Sequence, residues 1–406
     1  MKYIILQGDG MADYPLDVLG GRTPLEAART PNMDWLASRG VFGIAHVIPK
    51  GFPPGSDVGN MSIMGYDPAV YHTGRSPLEA ASMGVALGPG DIAFRCNLVT
   101  LGGSDDETYM EDFTSEHIPT DEAREVIRDI ATELGGAGIE FFPGVSYRHL
   151  MVWRDGKEKM TTTPPHDITD QKIAHYLPKG DGADKLLDLM QRSQSILAKH
   201  PVNEKRKSEG RRQASSIWLW GQGRAPALPP LTTRFGIKGG VISAVDIIHG
   251  LGVYAGLKRI DVPGITGFLD TNYKGKGEYG VRSLEENDLV FIHVEATDEA
   301  GHMGDVEKKI QAIEDFDQKV VGTVIRGMAH RKDWRVLLMP DHPTAITLKT
   351  HVSDPVPFVL YSAEEPHHNG KVGYNEKDAR ATGIVAKQAF RLMEALIEGR
   401  KTWTET

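Results

Sequence analysis

Four short stretches of this 406-residue chain bring acid, hydroxyl and imidazole groups to the ends of apolar runs. Asp9 stands in Gly8-Asp9-Gly10, just after Ile4-Ile5-Leu6. Ser56 stands in Pro53-Pro54-Gly55-Ser56-Asp57-Val58-Gly59-Asn60, where proline and glycine set a turn ahead of a helix. Taken alone, a serine there is an N-cap. Asp298 and His302, in Thr297-Asp298-Glu299-Ala300-Gly301-His302, are four apart and would share one face of a helical turn. Asp341 and His342 follow Leu337-Leu338-Met339, and His351 lies shortly beyond. Taken alone, an Asp-His pair is a hydrogen-bonded turn. Together these segments supply three carboxylates, three imidazoles and a hydroxyl. Burying them unpaired would cost several kcal/mol per group. Divalent cations would neutralise the acids and use the imidazole lone pairs. A mixed Asp/His set suits manganese or zinc better than calcium. Two such ions about 4 Å apart are the usual clamp for moving a phosphoryl group.

The elements that must hold these groups follow from the apolar pattern. Ile4-Ile5-Leu6, Gly240 to Ser243, Leu289 to Val294, Arg335 to Met339 and Pro357 to Tyr361 read as strands. Between them, residues 31 to 39 (Thr30 capping, Pro31 in the first turn), 244 to 254, 308 to 328 and 377 to 398 read as helices. This alternation predicts an α/β fold, a mostly parallel sheet flanked by helices. From 92 to 233 the pattern changes to short strands (Phe94 to Leu101, Tyr147 to Val152) and two helices (Asp121 to Leu134, Ala183 to Lys199). That predicts a smaller α/β (α+β) domain, 92–233, inserted into a core of 1–91 plus 234–406. The charged run Asn203 to Arg212 reads as a solvated surface loop, with an anion-binding arm as the alternative.

Composition narrows the class. Charged residues at 25% and hydrophobics at 40% describe a globular chain, and the length fits two or three domains at about 150 residues each. The net charge of −9 argues against nucleic-acid or anionic-membrane partners, although a few arginines or ions can still bind a small anion locally. Cys96 is the single cysteine, so neither an internal disulfide nor a multi-cysteine zinc site is available. The N-terminal apolar stretch is too short for a signal peptide, and no run approaches the roughly 18 apolar residues of a membrane span. The expectation is a cytoplasmic protein.

These segments, with Gly65-Tyr66-Asp67-Pro68, Thr73-Gly74-Arg75-Ser76-Pro77-Leu78-Glu79-Ala80 and Ala93-Phe94-Arg95-Cys96-Asn97, resemble the cofactor-independent phosphoglycerate mutases. The closer likeness is to their shorter, archaeal-type branch, within the alkaline phosphatase superfamily. It runs in matching order from residue 1 to beyond Pro357. The resemblance implies an alkaline-phosphatase-like core and two divalent metals, manganese first, with zinc, cobalt or magnesium as alternatives. One would be held by Asp298, His302 and His351, the other by Asp9, Ser56, Asp341 and His342.

It further implies that Ser56 is the nucleophile and that 3-phosphoglycerate and 2-phosphoglycerate interconvert through a phosphoserine, without 2,3-bisphosphoglycerate. Metal contact would stabilise the serine alkoxide. The inserted domain would act as a lid that keeps water out while the glycerate turns. Arg95, Arg148 and Arg224 are the expected grip on the small phosphorylated substrate, and His166 and Asp167 the acid/base pair. Longer family members use a lysine near the phosphoryl group; His249 and Lys258 lie in that region, but neither matches it. The alternatives are a homoserine kinase-like transferase of the same branch and a metal-dependent phosphatase. No P-loop pattern is present.

Overall fold

A computed structural model of the chain describes residues 1–104 and 107–399. Contacts divide it into two compact units, Met1–His72 with the chain from Ala227 onward, and Thr73–Pro226. The second unit thus starts earlier than the expected 92 and ends before 233. The physical reason is the helix Ser76–Ser82, which packs on the strands Ile92–Gly102, Arg148–Trp153 and Ser216–Gly223.

The first unit is built on an eight-stranded sheet in the order Lys258–Arg259, Gly239–Ile242, Leu289–Val294, Lys2–Gly8, Trp334–Met339, Val356–Ser362, Val41–Ala45, Val385–Ala386. It is mostly parallel. Val356–Ser362 runs antiparallel to both neighbours. Ile4, Leu6, Val290 and Ile292 pack with Met33, Leu36, Phe316 and Val320 from the flanking helices. Ile5, Phe291 and Leu337, alternating to the other face, are fully buried as well. Burial on both faces explains why these strands are continuous apolar runs rather than alternating ones.

Two helix expectations change on inspection. The span 308 to 328 is one helical rod, Val306–Asp315 and Gly322–Met328, joined by a π-helical segment Phe316–Val321. Within that segment the buried Asp317 carboxylate accepts the backbone N–H groups of Asn32 and Met33 at 3.0 and 2.7 Å. Asp317 therefore caps the helix Pro31–Ala37, and Thr30 makes no cap bond. The span 377 to 398 is not one helix. It breaks into Glu376–Ala381, the edge strand Val385–Ala386 and Arg391–Glu398, with Gly383 supplying φ of +72° at the break.

The second unit is an antiparallel sheet, Tyr109–Asp112, Ile92–Gly102, Arg148–Trp153 and Ile139–Val145, with Ser216–Gly223 also paired to Ile92–Gly102. Helices Thr120–Leu134 and Ala183–Leu197 pack on it, and Val126, Ile130, Leu186 and Leu189 join its core. The charged run 203–212 is not a loop. Most of it forms the helix Pro201–Ser208, and Arg206 is completely buried. Its guanidinium donates to the carbonyls of Arg212 and Ser115 at 2.7 and 2.8 Å and to Glu122 at 2.7 Å. Among the described residues no helix is long and apolar enough to cross a membrane.

Removing one partner of a buried ion pair leaves an uncompensated charge. Arg206→Ala is accordingly expected to destabilise the second unit by about 3 kcal/mol in denaturant unfolding of the full chain. A loss below about 1 kcal/mol, the level of an exposed pair, would contradict this account of the run.

Candidate metal centre

Three adjacent strands deliver the acidic groups. Gly8 registers with Val294, and Gln7 with Met339, so Asp9, the start of the helix Ala296–Met303 that carries Asp298 and His302, and Asp341 leave the sheet side by side. The close approach needs two glycines. Gly10 has φ of +58°, and a Cβ there would run into Thr344 and Asp298. A Cβ on Gly59 would lie 2.8 Å from Cβ of Asp341.

Asp9 and Asp341 are fully buried. Oδ1 of Asp341 accepts from the Gly10 N–H at 3.2 Å, and Oδ2 accepts from Nδ2 of Asn60 at 3.0 Å. Asn60 also donates to the carbonyl of Ser56 at 2.9 Å, tying the serine's helix to the acid. The N-cap reading of Ser56 fails. Gly55 occupies that position, Ser56 opens the helix Ser56–Ile63, and its Oγ lies 3.3 Å from Nε2 of His342. Nε2 of His342 is in turn 3.5 Å from Oδ1 of Asp9 and 3.3 Å from Oδ2 of Asp341. Thr297 Oγ1 bonds the Asp9 carbonyl.

The second cluster gathers around Asp298. Nε2 of His302 is 3.1 Å from its Oδ2, and Nε2 of His351 is 3.3 Å from its Oδ1. The two Nε2 atoms are 2.8 Å apart, while Nδ1 of His302 pairs with the Lys349 carbonyl at 3.0 Å. The His342 ring stacks on His351 with centroids 4.0 Å apart, so His342 adjoins both clusters. Thr344 Oγ1 bonds Asp298 and lies 3.3 Å from Nδ1 of His342.

All seven residues expected at the centre therefore come together, and their donor atoms fit divalent cations. Asp9, Asp341 and His342 each offer a ligand atom within 4.8 Å of the others, as do Asp298, His342 and His351. Oδ1 of the buried Asp9 has no hydrogen-bond partner. Burial, then the nearby Asp341, Glu295 and Asp298, push the Asp9 carboxyl well above the usual range. The hydrogen bond to Asp298 outweighs burial and raises His302 to about 9.

Several supporting residues escape sequence reasoning. His293, in the wholly buried strand Leu289–Val294, has Nε2 2.8 Å from Oδ2 of Asp9 and Nδ1 3.0 Å from Ser243 Oγ. With Asp9 and Glu295 it forms a third group of close donor atoms. The signal was available: an imidazole inside an apolar strand needs partners. Asn60 and Thr344 gave no such signal.

The remaining candidates lie in the second unit. Arg95 is buried and donates to Glu79 at 2.8 Å, its guanidinium 5.0 Å from the Trp220 ring. Arg75 shares Glu79 at 3.5 Å and also faces Trp220, a cation that sequence reasoning left out. The His166 ring lies 5.3 Å from Trp220, with Nε2 3.7 Å from Asp167. Burial lowers the His166 pKa and favours the neutral ring. Arg148 is exposed beside Tyr147, and Arg224 is paired with Glu158 at 2.8 Å.

A family model described as 2,3-bisphosphoglycerate-independent phosphoglycerate mutase matches residues 37–203. The chain is 53% identical to a Geobacter sulfurreducens protein named "Probable 2,3-bisphosphoglycerate-independent phosphoglycerate mutase", over 98% of this chain and 100% of that protein. It is 48% identical, over 98% and 100%, to a Methanosarcina barkeri protein carrying the same name without the qualifier. Among solved structures, one from Pyrococcus horikoshii superposes with a TM-score of 0.82 at 27% identity, covering 98% of this chain and 96% of that one. A cofactor-independent phosphoglycerate mutase from Thermoplasma acidophilum gives 0.67 at 28% identity, covering 98% and 99%.

The raised pKa of His302 fixes the sign of a pH effect. Below about pH 9 the ring holds a proton that an ion at Asp298 must displace. Apparent affinity there is expected to fall about tenfold per unit of acidification. Calorimetric titration in buffers of different ionisation heat should detect about one proton released per ion near neutral pH. Affinity independent of pH, with no proton release, would contradict the assignment.

Proposed function

The chain belongs to the 2,3-bisphosphoglycerate-independent phosphoglycerate mutases, and on that premise we propose how its residues carry the interconversion of 3-phosphoglycerate and 2-phosphoglycerate. Ser56 Oγ attacks phosphorus and forms the new O–P bond while the bond to the glycerate oxygen breaks. The serine proton ends on the departing hydroxyl. The glycerate then offers its other hydroxyl, which takes the phosphoryl group back and returns the proton to Ser56. Asn60 fixes the serine in place by bridging its carbonyl to Asp341.

The ligands in this reading are Asp298, His302 and His351 for one divalent ion, and Asp9, Ser56, Asp341 and His342 for the other, with manganese the first choice. Such ions, when bound, neutralise phosphoryl oxygens and lower the cost of a serine alkoxide. On the second unit, Arg95, Arg148 and Arg224 are proposed for the anionic end of the substrate. His166, kept neutral by burial, and Asp167 are proposed to carry protons to and from the glycerate hydroxyls. A cytoplasmic setting accords with the single, buried, unpaired Cys96.

The observation that carries this reading is the half-buried Ser56 hydroxyl 3.3 Å from Nε2 of His342, an atom that itself lies 3.5 Å from Asp9 and 3.3 Å from Asp341. A homoserine kinase-like activity or a phosphatase activity appears in the name of none of the relatives cited above.

Manganese-loaded protein given 3-phosphoglycerate alone should form 2-phosphoglycerate. Ser56→Ala should lower turnover by about a thousandfold or more while leaving the melting temperature nearly unchanged. Mass spectrometry of the quenched wild-type reaction should find one phosphoryl group on Ser56. Substantial turnover by the alanine variant would exclude the phosphoserine route.

A further inference from the structure

Behind the metal centre lies a fully buried ammonium that the mechanism above does not use. Lys309, on the helix Val306–Asp315, donates to Oδ2 of Asp13 at 2.7 Å, to the Thr344 carbonyl at 2.6 Å and to the Ala12 carbonyl at 3.2 Å. Three donors meet three acceptors, so the charge is fully satisfied. Asp13 also accepts from the Ile346 N–H at 3.2 Å, and its own N–H donates to the buried Glu376 at 3.0 Å. Glu376 in turn accepts from Thr23 Oγ1 at 2.6 Å.

Thr344 is what joins this network to the acids and imidazoles. Its hydroxyl bonds Asp298 and lies 3.3 Å from Nδ1 of His342. Its backbone pairs directly with His351 in the two-stranded hairpin formed by Thr344–Ala345 and Thr350–His351. One threonine thus touches, or is registered with, every member of the Asp298–His342–His351 group. Its carbonyl is clamped by Lys309.

We propose that Lys309 is a positioning residue for Asp298 and His351, two of the three groups proposed above to hold one ion, acting through Thr344; this rests on reading those residues as a cation site. A buried ion pair adds little net stability compared with apolar residues of the same shape. The use of this one is to hold a strand-end loop at a fixed distance from Asp298. Asp9 and Asp341 receive no bond from the ammonium or from the Thr344 hydroxyl, which reaches the second proposed ligand set only through the 3.3 Å contact with His342, whereas it bonds Asp298 directly and its strand pairs with His351; loss of Lys309 should therefore act on one ion more than the other.

The test is titration with manganese alone, reading free ion by electron paramagnetic resonance, on the full chain. Wild type should take up two ions. In Lys309→Met one tight ion should remain and the other should weaken about tenfold or more. Pairing the change with Asp13→Asn removes both charges and should restore most of the melting temperature but not the weakened affinity. Thr344→Val should weaken the same ion, and adding Lys309→Met to it should cost little more, because both act on one path. Two affinities within about twofold of wild type in Lys309→Met would overturn the proposal. So would recovery of affinity together with stability in the double variant, which would make Lys309 only a core ion pair. Wild type binding fewer than two ions would overturn the cation reading itself, and the role of Lys309 with it.

Discussion

Mutual repulsion among buried carboxylates is the constraint on which the first unit turns. Asp9, Asp298 and Asp341 leave neighbouring strands at nearly the same level, with water largely excluded. Burial and the neighbouring carboxylates push Asp9 well above the usual range, whereas at Asp298 burial is outweighed by hydrogen bonds from His302 and His351, which hold it well below that range. The sequence answers with imidazoles from His293, His302, His342 and His351, with amide donors from Gly10 and Asn60, and with threonine hydroxyls. These neutralise the acids only in part. The oxygen of Asp9 left without a donor marks where positive charge is still owed.

That shortfall links fold to chemistry. A parallel sheet places its strand ends, and hence its polar loops, along one edge. Here the loops after three of them carry buried carboxylates, and the helix Ser56–Ile63 brings in a serine. Gly59 lets that helix approach Asp341 more closely than a side chain would allow. The raised pKa values of Asp9 and His302 mean that an ion bound there would compete with protons.

Much of this was legible in the sequence because the acids and imidazoles are local in pattern though distant in number. Asp9, Asp298 and Asp341 each follow an apolar run that reads as a strand without ambiguity. The parallel order was also accessible, since helices separate those runs. What was not legible depends on contacts between distant segments. Asp317 caps the helix Pro31–Ala37 from across the core, whereas the local sequence offers Thr30. Arg206 lies in a charged run whose composition signals solvent, yet Glu122 and the Ser115 carbonyl bury it. The residues from 377 to 398 keep a helical apolar spacing through Thr382-Gly383, but the edge of the sheet recruits Val385–Ala386 as a strand. Thr344 reads as an ordinary loop threonine, and only the hairpin register with His351 gives it weight.

The central claim is that these carboxylates and imidazoles form one paired-cation pocket beside a serine. The most direct measurement is anomalous diffraction from crystals grown with manganese. The account predicts two peaks, one among Asp298, His302 and His351, the other among Asp9, Asp341 and His342 with Ser56 Oγ in reach. No peak at these residues, with ions bound elsewhere or not at all, would contradict it.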